Sequence, residues 1–141
     1  MKILIPIDGS DSANRAVDQV IATAFLLKDA PKIFLLNVQW NIAAGNVKLF
    51  INQETINDYY REQGMAALAA ARKKLDAAGL AYTYHISIGT PAEAIVQYAQ
   101  EQQVDQITMG AQGQGALSAL LLGSVVSKVL HLATAPVLLV K

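Results

Sequence analysis

Short, unbroken apolar runs alternate along this chain with longer stretches in which apolar residues return at three- and four-residue steps. The first pattern marks buried strands and the second marks amphipathic helices. Ile3 to Ile7 is the first run, stopped by the turn-forming Asp8, Gly9, Ser10 and Asp11. A run with no polar interruption suits a central parallel strand, buried on both faces. Pro6 has no N–H to give to a ladder, so it is expected where pairing ends, as the strand turns towards a site. Ala13, Val17, Val20, Ala24 and Leu27 then share one helix face. Ser10, Asp11 or Ser12 is placed to cap that helix, and Asp29 to Pro31 breaks it.

Lys32 to Trp40 reads as a second buried strand. Residues 41–52 fit neither period and read as a mobile loop beside the site. Ile56, Tyr60, Gly64, Ala67, Ala71, Leu75 and Ala78 mark one face of a long helix, with Gly79 as its stop. Ala81 to Ile88 alternates small or polar residues with larger ones, as an exposed edge strand does. Thr90, Pro91 and Glu93 have the spacing of a capping box with proline at the first helical position, opening a helix that turns Ile95, Val96 and Ala99 inward. Gln106 to Met109 is strand-like, and a glycine-rich stretch leads to a helix that starts near Ser124 and ends before Thr134 to Pro136. Val137 to Val140 closes the chain as a last strand.

Strand and helix repeated four times, then a closing strand, imply an open parallel α/β sheet with right-handed crossovers. In such sheets the ligand crevice lies outside the carboxyl ends of the strands, where strand order reverses. The loops after Ile7, after Asn37 and after Met109 would meet there. The 141 residues read as a single domain, 1–141, with a sizeable core. Formal net charge is zero, so no global field draws the protein to nucleic acid or to an anionic membrane. Cysteine is absent, which removes disulfide scaffolds and thiol chemistry. The amino terminus lacks the pattern of a signal peptide, and no apolar run is long enough to span a bilayer. A cytoplasmic protein is the expectation.

The chemistry concentrates in the stretch from Gly110 to Ser124. Glycines at 110, 113 and 115 after a strand would let the backbone take positive φ and approach a ligand without a side chain in the way. Gly123 and Ser124 open the following helix, whose unpaired N–H groups suit an anion. A phosphate cradle and a plain glycine-rich turn before a capped helix both satisfy this spacing. It is neither a P-loop, since Gly-Lys-Ser/Thr is missing, nor a dinucleotide fingerprint.

Taken together, the chain resembles the universal stress protein family along its full length. Nucleotide-binding members of that family carry G-x2-G-x9-G-S/T, matched by Gly110, Gly113, Gly123 and Ser124. The opening Ile5 to Ser10, the Gly89-Thr90-Pro91 lead into a helix and the closing Ala135 to Val140 agree as well. The resemblance implies an adenine-nucleotide α-hydrolase-like fold, a five-stranded parallel sheet of order 3-2-1-4-5 with helices on both faces. It also implies ATP, with Mg²⁺, at the reversal between strands one and four. By that likeness Asp8 contacts ribose or a phosphate-bound metal, and Pro6 and Ile7 line the base pocket. The backbone of Val38 hydrogen-bonds adenine, while Gly110, Gly113, Gly123, Ser124 and Val125 cradle ribose and phosphates. It further implies a homodimer through Val137 to Val140, an apolar edge strand that invites pairing.

Two features set this chain apart from many relatives, which carry a basic residue just after the second motif glycine and His or Ser just before it. Here those positions are Gln114 and Gln112, and no Lys or Arg occurs from Ile107 to Ser127. Phosphate charge must then be met by amides, a helix dipole, hydroxyls and Mg²⁺. Asp8 also fits a turn role, and Ser124 an N-cap role. Trp40 is expected to pack a loop onto the core in preference to stacking near a base. His85 and His131 are expected to be non-catalytic. The expected function is an ATP-binding regulatory module of the stress-response type with little or no catalysis. A slow ATP hydrolase and a nucleotide-free dimeric adaptor are the alternatives.

Overall fold

A computed structural model of the chain describes residues 1–41, 52–113 and 121–141. Its elements are β1 (Lys2–Pro6), α1 (Asp11–Ala24), β2 (Lys32–Gln39), α2 (Gln53–Ala77), β3 (Tyr82–Ile88), α3 (Pro91–Gln102), β4 (Gln106–Gly110), α4 (Ser124–Leu132) and β5 (Val137–Val140). The five strands form one parallel sheet of order β3-β2-β1-β4-β5. This is the order that the family resemblance implies.

The unbroken apolar runs are explained by two cores. Ile3, Ile5, Ile33 and Leu35 point to one face and pack with α1 and α2 through Ala16, Val17, Val20, Leu68 and Leu75. Leu4, Phe34 and Leu36 point to the other and pack with α3 and α4 through Ala92, Ile95, Val126 and Val129. Alternate residues of one strand thus serve opposite cores, so these positions are apolar on both faces, and the buried polar Asn37 is accommodated by its hydrogen bond to Ile7 O. Each fully buried Leu or Ile contributes about 1.5–3 kcal/mol. The edge position of β3 matches its mixed pattern; there His85 stacks on Tyr98 of α3, with ring centroids 5.4 Å apart. No helix among the described residues is long and apolar enough to cross a membrane.

Several local expectations need correction. The first helix ends at Ala24, three residues short of Leu27, and Phe25 and Leu26 lie exposed in the turn. Ser10 is the cap, its Oγ accepting from the Ala13 N–H at 3.1 Å. Thr90 does occupy the N-cap of α3, but it makes no side-chain cap bond, and Glu93 pairs instead with Lys128 of α4. That pairing draws on tertiary neighbours no local spacing reveals. Gly79 does end α2 with φ +69°. Of the stretch read as a loop, 42–51 lie outside the described residues, and Asn52 caps α2 by accepting from the Thr55 N–H.

Candidate nucleotide site

The strand order reverses beside β1, and there β1 and β4 part early. Their pairing covers Ile3 with Gln106 and Leu4 with Ile107, whereas the β1–β2 register continues to Pro6 with Leu36. Pro6, lacking an N–H, therefore stands past the last β1–β4 pair, as its chemistry requires. On the β2 side the join is extended: the Ile7 N–H donates to Leu36 O at 2.8 Å. The buried Asn37 amide donates to Ile7 O, also at 2.8 Å. A crevice opens between the carboxyl ends of β1 and β4, where such sheets bind ligands.

A cavity of about 660 Å³ fills that crevice, and all nine candidate residues line it: Pro6, Ile7, Asp8, Val38, Gly110, Gly113, Gly123, Ser124 and Val125. Its size lies within the ordinary range for small-molecule sites. Sequence reasoning missed the rest of the apolar lining, including Leu36, Ile95, Met109 and Leu121. Strand alternation could have added Leu36, two residues before Val38 on the same face, but the α3 contribution depends on how that helix docks. Gln114 and Gly115 lie outside the described residues.

The glycines act by close approach. Neither Gly110, Gly113 nor Gly123 has positive φ, which corrects the sequence expectation for 110 and 113. A Cβ on Gly110 would sit 2.5 Å from the backbone C and O of Ser12, so this glycine lets the start of α1 lie against the end of β4. Ser12 is buried there, and its Oγ accepts from the Gln112 N–H at 3.2 Å. A Cβ on Gly113 would come 3.0 Å from Asp8 Oδ2, and one on Gly123 would come 3.3 Å from the Gly113 nitrogen. Gly113 and Gly123 therefore bring two backbone segments and a carboxylate together. The Gly123 N–H donates to Ala111 O at 3.0 Å, tying the start of α4 to the end of β4.

Gly123, and not Ser124, is the N-cap of α4, and it offers no side-chain acceptor. The N–H groups of Ser124, Val125 and Val126 meet no acceptor among the described residues. No acidic residue lies in that first turn, so the positive end of the helix dipole is left unneutralised beside the cavity. The contrast with α1 is direct, since Ser10 caps that helix and Asp11 lies in its first turn. Among the described residues, Asp8 is the one charged side chain in the lining. Its Oδ1 accepts from the Ser10 N–H at 2.9 Å, so the turn role is real, while Oδ2 lies on the Gly113 side. Lys128 is paired with Glu93, and that lysine holds the Glu93 carboxyl below its usual range.

Trp40 departs from expectation. It lines the cavity and is 63% exposed, so the side chain is not buried in the core. Leu121 and Leu122, also in the lining, are 70% and 48% exposed.

Comparison with known proteins agrees with this architecture. The family model described as universal stress protein family matches residues 1–141. Universal stress protein MJ0531 of Methanocaldococcus jannaschii is 34% identical over 99% of this chain and 81% of its own length. The solved structure of MJ0577, from the same organism, superposes with a TM-score of 0.82 at 32% identity, covering 99% of this chain and 94% of that one. More distant structures share the fold: a universal stress protein in complex with cAMP has a TM-score of 0.72 at 24% identity, covering 100% of this chain and 97% of that one. An Arabidopsis thaliana family protein with AMP bound has a TM-score of 0.68 at 21% identity, covering 100% and 91%. With its motif glycines, strand order and switch-point cavity in agreement with a match along its whole length, this chain belongs to the universal stress protein family.

Proposed function

We propose that the chain is an adenine-nucleotide-binding regulatory module that holds ATP, with Mg²⁺ on the phosphates, and does little or no catalysis. The observation that carries this reading is the uncapped start of α4, three backbone N–H groups without acceptors among the described residues, beside a cavity to which Gly113 and Gly123 add no side chain. Such an arrangement favours phosphate oxygens. Two proteins of the same fold hold cAMP and AMP. The apolar end of the cavity, with Leu36, Val38, Ile95 and Met109, suits a base, and the glycine end suits phosphates.

Mg²⁺ fits this lining as an ion carried on phosphates. Asp8 is its one carboxylate, and no cluster of three or more ligating side chains occurs among the described residues. Magnesium commonly binds through one or two carboxylates plus phosphates and water. Its contribution would be charge neutralisation, with Asp8 and the Ser124 hydroxyl as the side chains that hold it. Weak catalysis is supported by the lining too. No Lys or Arg among the described residues lines the cavity to stabilise a transferring phosphoryl group, and one oxygen of Asp8 is engaged in the turn.

The reading includes a homodimer through β5. That strand forms a sheet edge with Leu138 40% exposed, and an uncovered apolar edge favours pairing.

Mass spectrometry of nucleotide released from freshly purified protein tests the reading, followed by calorimetric titration of MgATP on wild type and Gly113→Val. Saturable binding that the variant loses is the expected result. Binding that survives the bulky side chain would move the phosphates elsewhere, and no binding by wild type would leave the nucleotide-free adaptor as the better account.

A further inference from the structure

We propose that Trp40 is a base-stacking residue, so that the ligand of this cavity must carry a planar heteroaromatic base and not phosphate alone. The inference rests on reading the cavity as a nucleotide site and adds to it the group that selects the base. It begins with strand alternation. Leu36, Val38 and Trp40 are spaced by two and all line the cavity, so β2 presents one continuous apolar face that runs beyond its last paired residue. The strand is held firmly up to that point. Gln39 is in register with Ile88, and its carbonyl accepts from the Gly89 N–H at 2.9 Å. On the other face, the Gln39 amide donates to Asn37 Oδ1 at 2.6 Å, and Asn37 is itself fixed to Ile7 O. Trp40 therefore projects from a fixed strand end over the mouth of the cavity.

The residue is left 63% exposed, with no ring or cation partner for its indole among the described residues. Leaving so large an apolar surface in water is unfavourable, and a flat aromatic ligand covers it well. The opposite rim carries Leu121 and Leu122, themselves exposed, on the segment tied back to β4 through Gly123 and Ala111. Because β1 lies between β2 and β4, these two apolar rims flank the crevice from opposite sides. A base entering between them meets indole on one side and leucine on the other. Charge points the same way. Among the described residues of the lining Asp8 is the one charged group and none is a cation, so a base adds contacts there that phosphate alone does not make.

The chain contains one tryptophan beside five tyrosines, so fluorescence excited at the red edge, where tyrosine does not absorb, reports on this position alone. The intact protein would be titrated with AMP, adenosine, MgATP and ribose 5-phosphate, following fluorescence and calorimetry together. Trp40→Ala, Trp40→Leu and Trp40→Phe would be compared, with circular dichroism confirming their folds. The expected result is saturable quenching by the base-bearing ligands and AMP affinity reduced about 5- to 150-fold in Trp40→Ala, the range spanned by base–aromatic stacking. Trp40→Phe should recover most of the affinity and Trp40→Leu should not. Wild type that binds AMP by calorimetry while Trp40→Ala binds it equally well would overturn the stacking role and leave the nucleotide site standing. Ribose 5-phosphate bound as tightly as AMP, or Trp40→Leu equal to Trp40→Phe, would overturn it likewise. Wild type that binds none of the adenine ligands would overturn both.

Discussion

Replacing Gly110 by alanine separates packing from binding in a motif whose glycines look alike in sequence. The added Cβ would fall 2.5 Å from the backbone C and O of Ser12, well inside van der Waals contact. Ser12 Oγ lies nearer still, but the backbone of the first turn of α1 is an obstacle too, and a rotamer change cannot clear that. Overpacking of this kind costs about 1–3 kcal/mol, and a backbone obstacle pushes the value to the upper part of that range. The stiffer unfolded chain returns about 0.4–1 kcal/mol. The net destabilisation is therefore about 1–2 kcal/mol, or about 3–8 °C in Tm for a domain of this size. Thermal unfolding of ligand-free protein, followed by circular dichroism, measures it. Gly113→Ala is the control, because among the described residues its Cβ meets the Asp8 carboxylate at 3.0 Å and no backbone, and it should unfold within about 2 °C of wild type. If Gly110→Ala melted with wild type, the packing argument would be wrong. If Ser12→Gly fully restored the stability of Gly110→Ala, the obstacle would be the hydroxyl and not the main chain.

Three other outcomes follow from named contacts. Asn37→Ala removes the buried amide that holds Ile7 O at 2.8 Å, and urea unfolding should show a loss of about 1–3 kcal/mol. The Glu93 carboxyl, lowered below 4.5 first by the Lys128 side chain, contributes stability that is present above that value and is lost as pH falls through its folded pKa. An NMR titration should find the depressed midpoint in wild type and a return towards 4.5 in Lys128→Met; an unchanged midpoint would refute the pairing. Leu138→Lys places a charge on the exposed edge strand β5 and should shift sedimentation from dimer to monomer, while a monomeric wild type would end the dimer reading.

Element types and their order were legible because β1 and β2 are buried on both faces, the edge strand β3 is partly exposed and each helix buries one face, and those burial patterns leave different periods in the sequence. Pro6 could be placed at the end of its ladder because a missing N–H is a local property, and the structure sets it past the last β1–β4 pair. All nine candidate site residues, named by the family resemblance, line one cavity, and it lies at the strand-order reversal where the switch-point rule puts the crevice. What sequence could not supply were relations between distant elements. Gly110 is small because of Ser12, and Glu93 serves Lys128 in place of its own helix cap. Trp40 stands in the open because β2 is fastened through Gln39 and stops there. Hydrophobic periodicity records how deeply each residue is buried, so it determined the sheet and its helices. Which atoms meet across the crevice depends on helix docking and strand divergence, and only the tertiary structure decided that.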